Sequence, residues 1–83
     1  MISASKKEEL LTRITIDQKI MVGKPTVRGM RITVEQLVKS VAAGISLTEL
    51  QEDYPELQKE DITAALLYAA QLIETEKIFS IAS

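Results

Sequence analysis

Two helix-start signals constrain the fold of this chain more than any other feature. Thr33 is followed three residues later by Gln36, and Ser46 is followed in the same way by Glu49. In such capping boxes, each side chain of the pair bonds the backbone N–H of the other residue at the start of a helix. The sequence therefore predicts one helix over about 34–43 and a second that begins at residue 47.

The two helices that follow these signals are short and amphipathic. Gly44 ends the first helix. Pro55 ends the second at about residue 53, because a proline disfavours helical geometry in the residue before it. Their inward stripes are Val34, Leu37, Val38 and Val41 in the first and Leu47 and Leu50 in the second. With the turn through Tyr54 and Pro55, the second and third helices fit a helix-turn-helix pattern.

The third predicted helix, about 59–77, is apolar on nearly every side. One face carries Ile62, Ala65, Leu66, Ala69 and Ile73, and the other faces add Leu67, Tyr68, Ala70 and Leu72. A helix of this kind is buried by its own domain or by a partner. A monomer of 83 residues is too small to bury both this helix and the apolar tail at 78–83. We therefore expect a homodimer or a partner protein to cover them. A kinked helix folded back onto its own core is the alternative.

The residues that we expect at this homodimer or partner contact share large apolar side chains in the last third of the chain. They are Leu67, Tyr68, Leu72, Ile78 and Phe79.

A β segment at 13–33 precedes the helices. Polar and apolar residues alternate from Arg13 to Asp17, which predicts a half-buried strand with Ile14 and Ile16 facing inward. Two arginines follow in a second stretch, 26–33, which predicts a tight hairpin.

The turn of this hairpin is expected at Gly29 and Met30, since glycine at the first central position suits a type II′ turn. That register pairs Val27 with Ile32 and sets Arg28 opposite Arg31. Like charges that face each other in a ladder are unfavourable. The tip therefore splays or binds an anion, and a phosphate or a partner carboxylate would both serve.

These patterns predict a mainly α fold in one domain. Residues 1–12 are a flexible or helical lead-in, and residues 13–77 hold the domain: a short N-terminal β strand or hairpin followed by a three-helix, helix-turn-helix-like (homeodomain-like) bundle. Residues 78–83 are the apolar tail.

Composition excludes several classes of site. The chain has no cysteine and no histidine, which excludes disulfides, thiolate sites and the usual zinc ligands. The start lacks the apolar stretch of a secretory signal, and no apolar run is long enough to span a membrane. We therefore expect a cytoplasmic protein that contacts no membrane.

The sequence offers no nucleophile with a base beside it, which argues against catalysis. We therefore expect that the protein is not an enzyme and that it binds no cofactor, metal or small-molecule substrate. Gly23 and Lys24 do not form a phosphate-binding loop, because Pro25 stands where the Ser or Thr of that motif would be. Several carboxylates surround the junction before the third helix: Glu52, Asp53, Glu56, Glu60 and Asp61. They could act as acid and base or bind a metal, but they equally fit helix N-terminal charges or a solvated face.

The charge of the chain is divided between its two halves. Residues 13–39 hold six basic and two acidic residues, a net charge of +4, whereas residues 40–83 hold two basic and eight acidic residues, a net charge of −6. Such a division indicates two different contact surfaces, or else ordinary solvated surface charge.

The spacing of several short motifs resembles that of a bacterial family called domain of unknown function 433. The residues that carry the resemblance are Ile16-Asp17, Gly23-Lys24-Pro25, Val27, Gly29, Arg31-Ile32, Val34, Leu37, Ala43-Gly44, Glu49, Asp53-Tyr54-Pro55, Leu57, Asp61-Ile62 and Ala64-Ala65-Leu66. The resemblance covers about residues 13–70. Met30, Val22 and Gln58 depart from the family's pattern, and Gln58 replaces the Ser or Thr expected to cap the third helix.

The resemblance implies a small antitoxin of a toxin–antitoxin pair, with a PIN-like ribonuclease as the toxin. In this interpretation the acidic, apolar C-terminal half binds the ribonuclease and the basic β segment contacts operator DNA as a dimer. The expected DNA contacts are Lys19, Lys24, Arg28 and Arg31. Alternatively, Arg28 and Arg31 pair with Asp17, Glu35 or a partner chain, and the protein is an interaction module without DNA binding.

Overall fold

The fold is mainly helical, with a short antiparallel β pair near the N-terminus. A computed structural model of the chain describes residues 3–80, with side chains described as far as residue 74. The elements are α1 (Ala4–Leu11), β1 (Ile14–Thr15), a 3₁₀ turn (Met21–Gly23), β2 (Thr26–Val27), α2 (Val34–Ala42), α3 (Leu47–Asp53) and α4 (Lys59–Ser80). This order confirms the predicted fold class.

Both predicted capping boxes are present. At the start of α2, the Gln36 N–H donates to Thr33 Oγ1 at 3.0 Å, and the Thr33 N–H donates to Gln36 Oε1 at 2.9 Å. At the start of α3, Ser46 and Glu49 exchange the same two bonds at 3.2 and 3.0 Å. Each cap stabilises its helix by about 1 kcal/mol. Both helix starts were predictable because each cap depends on two residues only three positions apart.

The end of α2 is fixed by Gly44, as predicted. Gly44 has a φ of +80°, which side chains with a Cβ rarely adopt. Its N–H donates to the Val41 carbonyl, and the Ile45 N–H donates to the Ser40 carbonyl, both at 3.0 Å. This pair of bonds is the Schellman motif, which satisfies the last carbonyls of a helix.

The strands β1 and β2 pair antiparallel, with Ile14 opposite Val27 and Thr15 opposite Thr26. Ile14 packs against the core as predicted, but Ile16 is 60% exposed and its predicted inward position is wrong. The reason is that β1 ends at Thr15, so the alternation of faces does not continue to the next apolar residue.

The hairpin after β2 has the predicted pairing but a different turn. The Val27 N–H donates to the Ile32 carbonyl at 3.3 Å, which confirms that register. However, the Met30 N–H donates back to the Val27 carbonyl, and the two central residues with positive φ are Arg28 (+44°) and Gly29 (+76°). The turn therefore lies one residue earlier than predicted and has the two positive φ angles of a type I′ turn.

The core lies where the hairpin meets α2, α3 and α4. Its buried apolar residues are Val27, Ile32, Val34, Leu37, Leu50, Leu57 and Ala65. The segment at 1–12, predicted as a flexible or helical lead-in, contains α1, which packs against α4 and buries Leu10. No helix in the described part of the chain combines the length and hydropathy needed to cross a membrane.

Candidate functional site

A buried carboxylate joins the β segment to the start of α4. Asp61 is fully buried. Its Oδ1 accepts hydrogen bonds from Arg28 Nε at 2.9 Å and Arg13 Nη1 at 3.0 Å, and its Oδ2 accepts from Arg28 Nη2 at 2.8 Å and the Gln58 N–H at 2.8 Å. All four donors together satisfy a charge that would be costly to bury alone.

The position of Asp61 in α4 explains its backbone bond. Asp61 is the third residue of the helix, and its carboxylate caps the residue before the helix, Gln58. Carboxylates in a first helical turn are favoured by the helix dipole and by free N–H groups. Asp61 therefore fits the helix-charge interpretation of the acidic residues, and it offsets the missing Ser or Thr at Gln58.

The ion pairs keep Asp61 charged despite its burial. Burial by itself acts to raise the pKa of Asp61, but the hydrogen bonds from Arg28, the Gln58 N–H and Arg13 act in the opposite direction. The result is a pKa below the ordinary value. The same hydrogen bond raises the pKa of Arg28, so both groups are charged at neutral pH.

This network assigns Arg28 a structural task. Besides its two bonds to Asp61, Arg28 Nη2 donates to the Glu56 carbonyl at 2.9 Å. The guanidinium thus ties the hairpin turn to both the start of α4 and the turn before it, which explains how Arg28 tolerates a positive φ. The acid that binds Arg28 is Asp61, and not Asp17 or Glu35, the two that the sequence suggested. Asp61 lies 33 residues further along the chain, so the sequence near Arg28 gave no sign of it.

The other predicted DNA-contacting residues have different surroundings. Lys24 Nζ lies 3.8 Å from Glu35 Oε1, and Lys39 Nζ lies 3.0 Å from Glu35 Oε2. Lys19 and Arg31 are exposed, and neither side chain forms a hydrogen bond or an ion pair with any residue in the described part of the chain. No shared contact gathers the four predicted residues into one cluster.

Lys19 and Lys24 flank a loop with an unusual backbone. Met21 and Val22 have φ values of +51° and +57°, followed by Gly23 at +77°. A β-branched residue with positive φ is rare, and Val22 is 85% exposed. No packing of its side chain accounts for this conformation.

A surface groove lies beside the hairpin tip and the α3–α4 turn. Its lining residues are Met30, Arg31, Asp53, Tyr54, Pro55 and Glu56. We call it the acidic groove, because its lining combines two carboxylates and one guanidinium with the less polar side chains of Met30, Tyr54 and Pro55. The sequence did not predict it, since its residues come from segments more than 20 positions apart.

The exposed side of α4 carries apolar residues. Leu66 is 42%, Leu72 is 50% and Ile73 is 66% exposed. Leu66 and Ile73 lie seven residues apart, a spacing that places them on one helix face. The sequence put them on one face with Ala65, but Ala65 is fully buried. We call Leu66, Ala70 and Ile73 the α4 stripe.

The predicted partner-contact residues have mixed positions. Leu72 is exposed, Leu67 is half-buried, and Tyr68 is half-buried with its side chain packed against the core. The side chains of Ile78 and Phe79 lie outside those that the structure describes. Tyr68 therefore contributes to the monomer core, and the sequence missed Leu66 and Ile73 because apolar residues occur on every face of this helix.

The described residues include no group of three or more carboxylates placed to hold a metal ion.

Comparisons with known proteins place the chain beside proteins of unknown function. The family described as "Protein of unknown function (DUF433)" matches residues 14–69. The chain is 41% identical over 56 residues to an uncharacterized protein, y4eO, of Sinorhizobium fredii (strain NBRC 101917 / NGR234). This match covers 68% of the chain and 25% of the relative, so the chain spans about a quarter of that protein's length. No solved structure matches the chain significantly.

Proposed function

This chain belongs to the DUF433 family of proteins of unknown function, and we propose that it acts as an antitoxin-type regulator that binds a partner protein. The partner class that the resemblance suggests is a PIN-like ribonuclease. A partner-binding protein of this kind needs a surface that its own fold leaves uncovered, and it needs no catalytic group of its own.

The observation that carries the general proposal of a protein-binding role, rather than the identity of the ribonuclease, is the apolar surface of α4. The core is closed by residues such as Leu37, Leu57 and Ala65, all at most 1% exposed. Leu66 and Ile73 nevertheless lie in solvent on the same helix that supplies Ala65. Exposed apolar residues that form one strip on a small protein commonly mark a protein contact.

We assign the α4 stripe to a second copy of this chain and the acidic surface to the ribonuclease. A self-association surface of the kind found in homodimers is more apolar than other protein interfaces. The carboxylates of Glu52, Asp53, Glu56 and Glu60 are exposed and form no hydrogen bond or ion pair within the described residues. They would attract a basic partner and accelerate its association.

Operator DNA is the second candidate ligand. In its support, Lys19 and Arg31 are exposed and have no partner among the described residues, and Asp61 is neutralised by two arginines, which removes one carboxylate from the start of α4. Against DNA binding, Arg28 is already paired with Asp61. This ion pair favours the alternative, an interaction module without DNA binding.

The DNA question is tested with Lys19→Ala/Arg31→Ala, which leaves the Asp61 network intact. If the chain binds operator DNA, this variant binds more weakly and with a smaller dependence on salt. Glu8→Ala/Thr48→Ala, which changes two exposed side chains, serves as the control. Equal DNA binding by the variant and the wild type would contradict the assignment of these two cations.

The partner protein is tested by purifying a tagged copy of the chain from its native cell in low salt and identifying the co-purifying protein by mass spectrometry. The proposal predicts a PIN-like ribonuclease that leaves at high salt, because surface charge pairs are screened. Recovery of the chain alone, or only with nuclease-sensitive DNA, would contradict the toxin pairing.

A further inference from the structure

We propose that the acidic groove binds a basic segment of the partner protein, in which an apolar side chain is flanked by arginine or lysine. This inference rests on the proposed function, because it identifies where that partner docks. It depends on three features of the groove lining: apolar side chains held by the core, two carboxylates without an internal ion pair, and one guanidinium.

Part of the groove lining is held in place by the core and by Arg28. Met30 and Tyr54 both pack against the core cluster, and Pro55 between the helices has a restricted φ. The backbone of Glu56 is fixed by the hydrogen bond from Arg28 Nη2 at 2.9 Å. A surface that is already ordered before binding loses less conformational entropy when a ligand arrives.

Two carboxylates give the groove lining negative charge, and one of them, Glu56, also acts at a distance to raise the pKa of Arg28. The carboxylates of Asp53 and Glu56 form no hydrogen bond or ion pair with any residue in the described part of the chain. The surrounding segment, 49–60, holds five carboxylates and one lysine. A cationic side chain is therefore attracted to these carboxylates, whereas the phosphates of a nucleic acid are repelled.

Arg31 adds one cation to the groove lining. Its side chain is exposed and has no partner among the described residues. A guanidinium there donates to the carbonyl oxygens of a bound segment. Peptide backbone supplies such oxygens, so the combination of carboxylates, apolar side chains and an arginine in one groove lining fits a basic peptide better than a free cation.

The test is an NMR titration of the isotope-labelled full chain with three blocked pentapeptides that differ only in charge: Gly-Arg-Leu-Arg-Gly, Gly-Gln-Leu-Gln-Gly and Gly-Glu-Leu-Glu-Gly. We expect the arginine peptide to cause saturable shifts at Met30 and Tyr54 at millimolar concentration. The neutral peptide binds more weakly, and the acidic peptide causes no shifts at these residues.

Two double variants separate the groove from general acidity. Asp53→Asn/Glu56→Gln removes two charges from the groove lining without changing shape, and we expect about fivefold weaker peptide binding, as for two exposed ion pairs. Glu8→Gln/Glu74→Gln removes the same charge at two exposed carboxylates outside the groove and outside the acidic surface, and we expect less than about twofold weakening because such charges are screened.

The inference is overturned if the arginine peptide causes no saturable shifts, if the acidic peptide binds equally well, or if both double variants weaken binding equally. The titration needs no ribonuclease. Peptide binding in the groove without any co-purifying ribonuclease would therefore overturn the toxin identity and leave the groove assignment standing. A co-purifying ribonuclease whose capture is unchanged by Asp53→Asn/Glu56→Gln would overturn the groove assignment alone.

Discussion

Arg28 binds Asp61 with two hydrogen bonds, of 2.9 Å from Nε and 2.8 Å from Nη2, across 33 residues of sequence. The carboxylate is fully buried, whereas the Arg28 side chain is 35% exposed. A planar guanidinium can make this paired contact and a lysine cannot. The hairpin turn, the α3–α4 turn and the start of α4 are thus joined through one acid.

Removing the charge of Asp61 should destabilise the fold. Asp61→Asn keeps the shape of the side chain but leaves Arg28 and Arg13 without their anion, and we expect a loss of about 3 kcal/mol in the free energy of unfolding, since breaking a buried pair costs about that much. Urea denaturation measures it. Glu52→Gln, at an exposed carboxylate without a partner among the described residues, should change stability by less than about 0.5 kcal/mol. Equal effects of the two substitutions would contradict the importance of the network.

Stability should also fall in acid because of Asp61. Its pKa in the folded chain lies below its ordinary value, so the unfolded state binds more protons as the pH approaches about 4. The stabilisation is therefore present above about pH 4 and is lost as the pH falls through the folded-state pKa. Urea midpoints measured from pH 7 to pH 2 should decline less steeply in Asp61→Asn than in wild type. Parallel declines would show that other carboxylates control the acid response.

The strained loop offers a stabilising substitution. Val22 has a φ of +57° and is 85% exposed, so its side chain gives up little packing if replaced. Asparagine tolerates the left-handed conformation better than valine, and we expect Val22→Asn to raise the free energy of unfolding by about 1 kcal/mol. Val41→Asn, within α2, is the control and should lower it. A Val22→Asn variant less stable than wild type would show that the valine makes a contact worth more than the strain.

The α4 stripe should mediate self-association. We expect light scattering to give a mass that rises with concentration towards twice the 9.2 kDa of the monomer, because pairing buries Leu66 and Ile73. Leu66→Ser/Ile73→Ser should remain at the monomer mass. Ile16→Ser/Val22→Ser also removes two exposed apolar side chains, but away from α4, and should still dimerise. A wild-type mass independent of concentration at the monomer value would rule out the dimer.

Local signals made the helix boundaries predictable, and non-local contacts made the site unpredictable. The Thr33 and Ser46 caps and the Gly44 end each depend on residues within five positions, and the structure has all three as predicted. The bond between Arg28 and Asp61 joins two segments that are distant in sequence, and no local sequence motif near either residue predicts this pairing.

The spacing of apolar residues did not predict which side of α4 is buried, because it allowed more than one apolar face. Apolar residues surround α4, so spacing alone could not decide that Ala65 is buried while Leu66 is 42% exposed. The fold decides it, because Asp61 and Ala65 lie one turn apart and the ion pair turns that side of the helix inward. The acidic groove was likewise invisible, since Met30 and Tyr54 meet only in the folded chain.

The central claim, that this chain restrains a ribonuclease, is tested most directly by RNA cleavage. The complex purified from the native cell is assayed on a labelled RNA before and after the tagged chain is removed, and again after the chain is added back in equal amount. We predict no cleavage by the complex, cleavage by the freed ribonuclease, and renewed inhibition on addition. Recovery of the chain without a ribonuclease, or equal cleavage in all three states, would contradict the account.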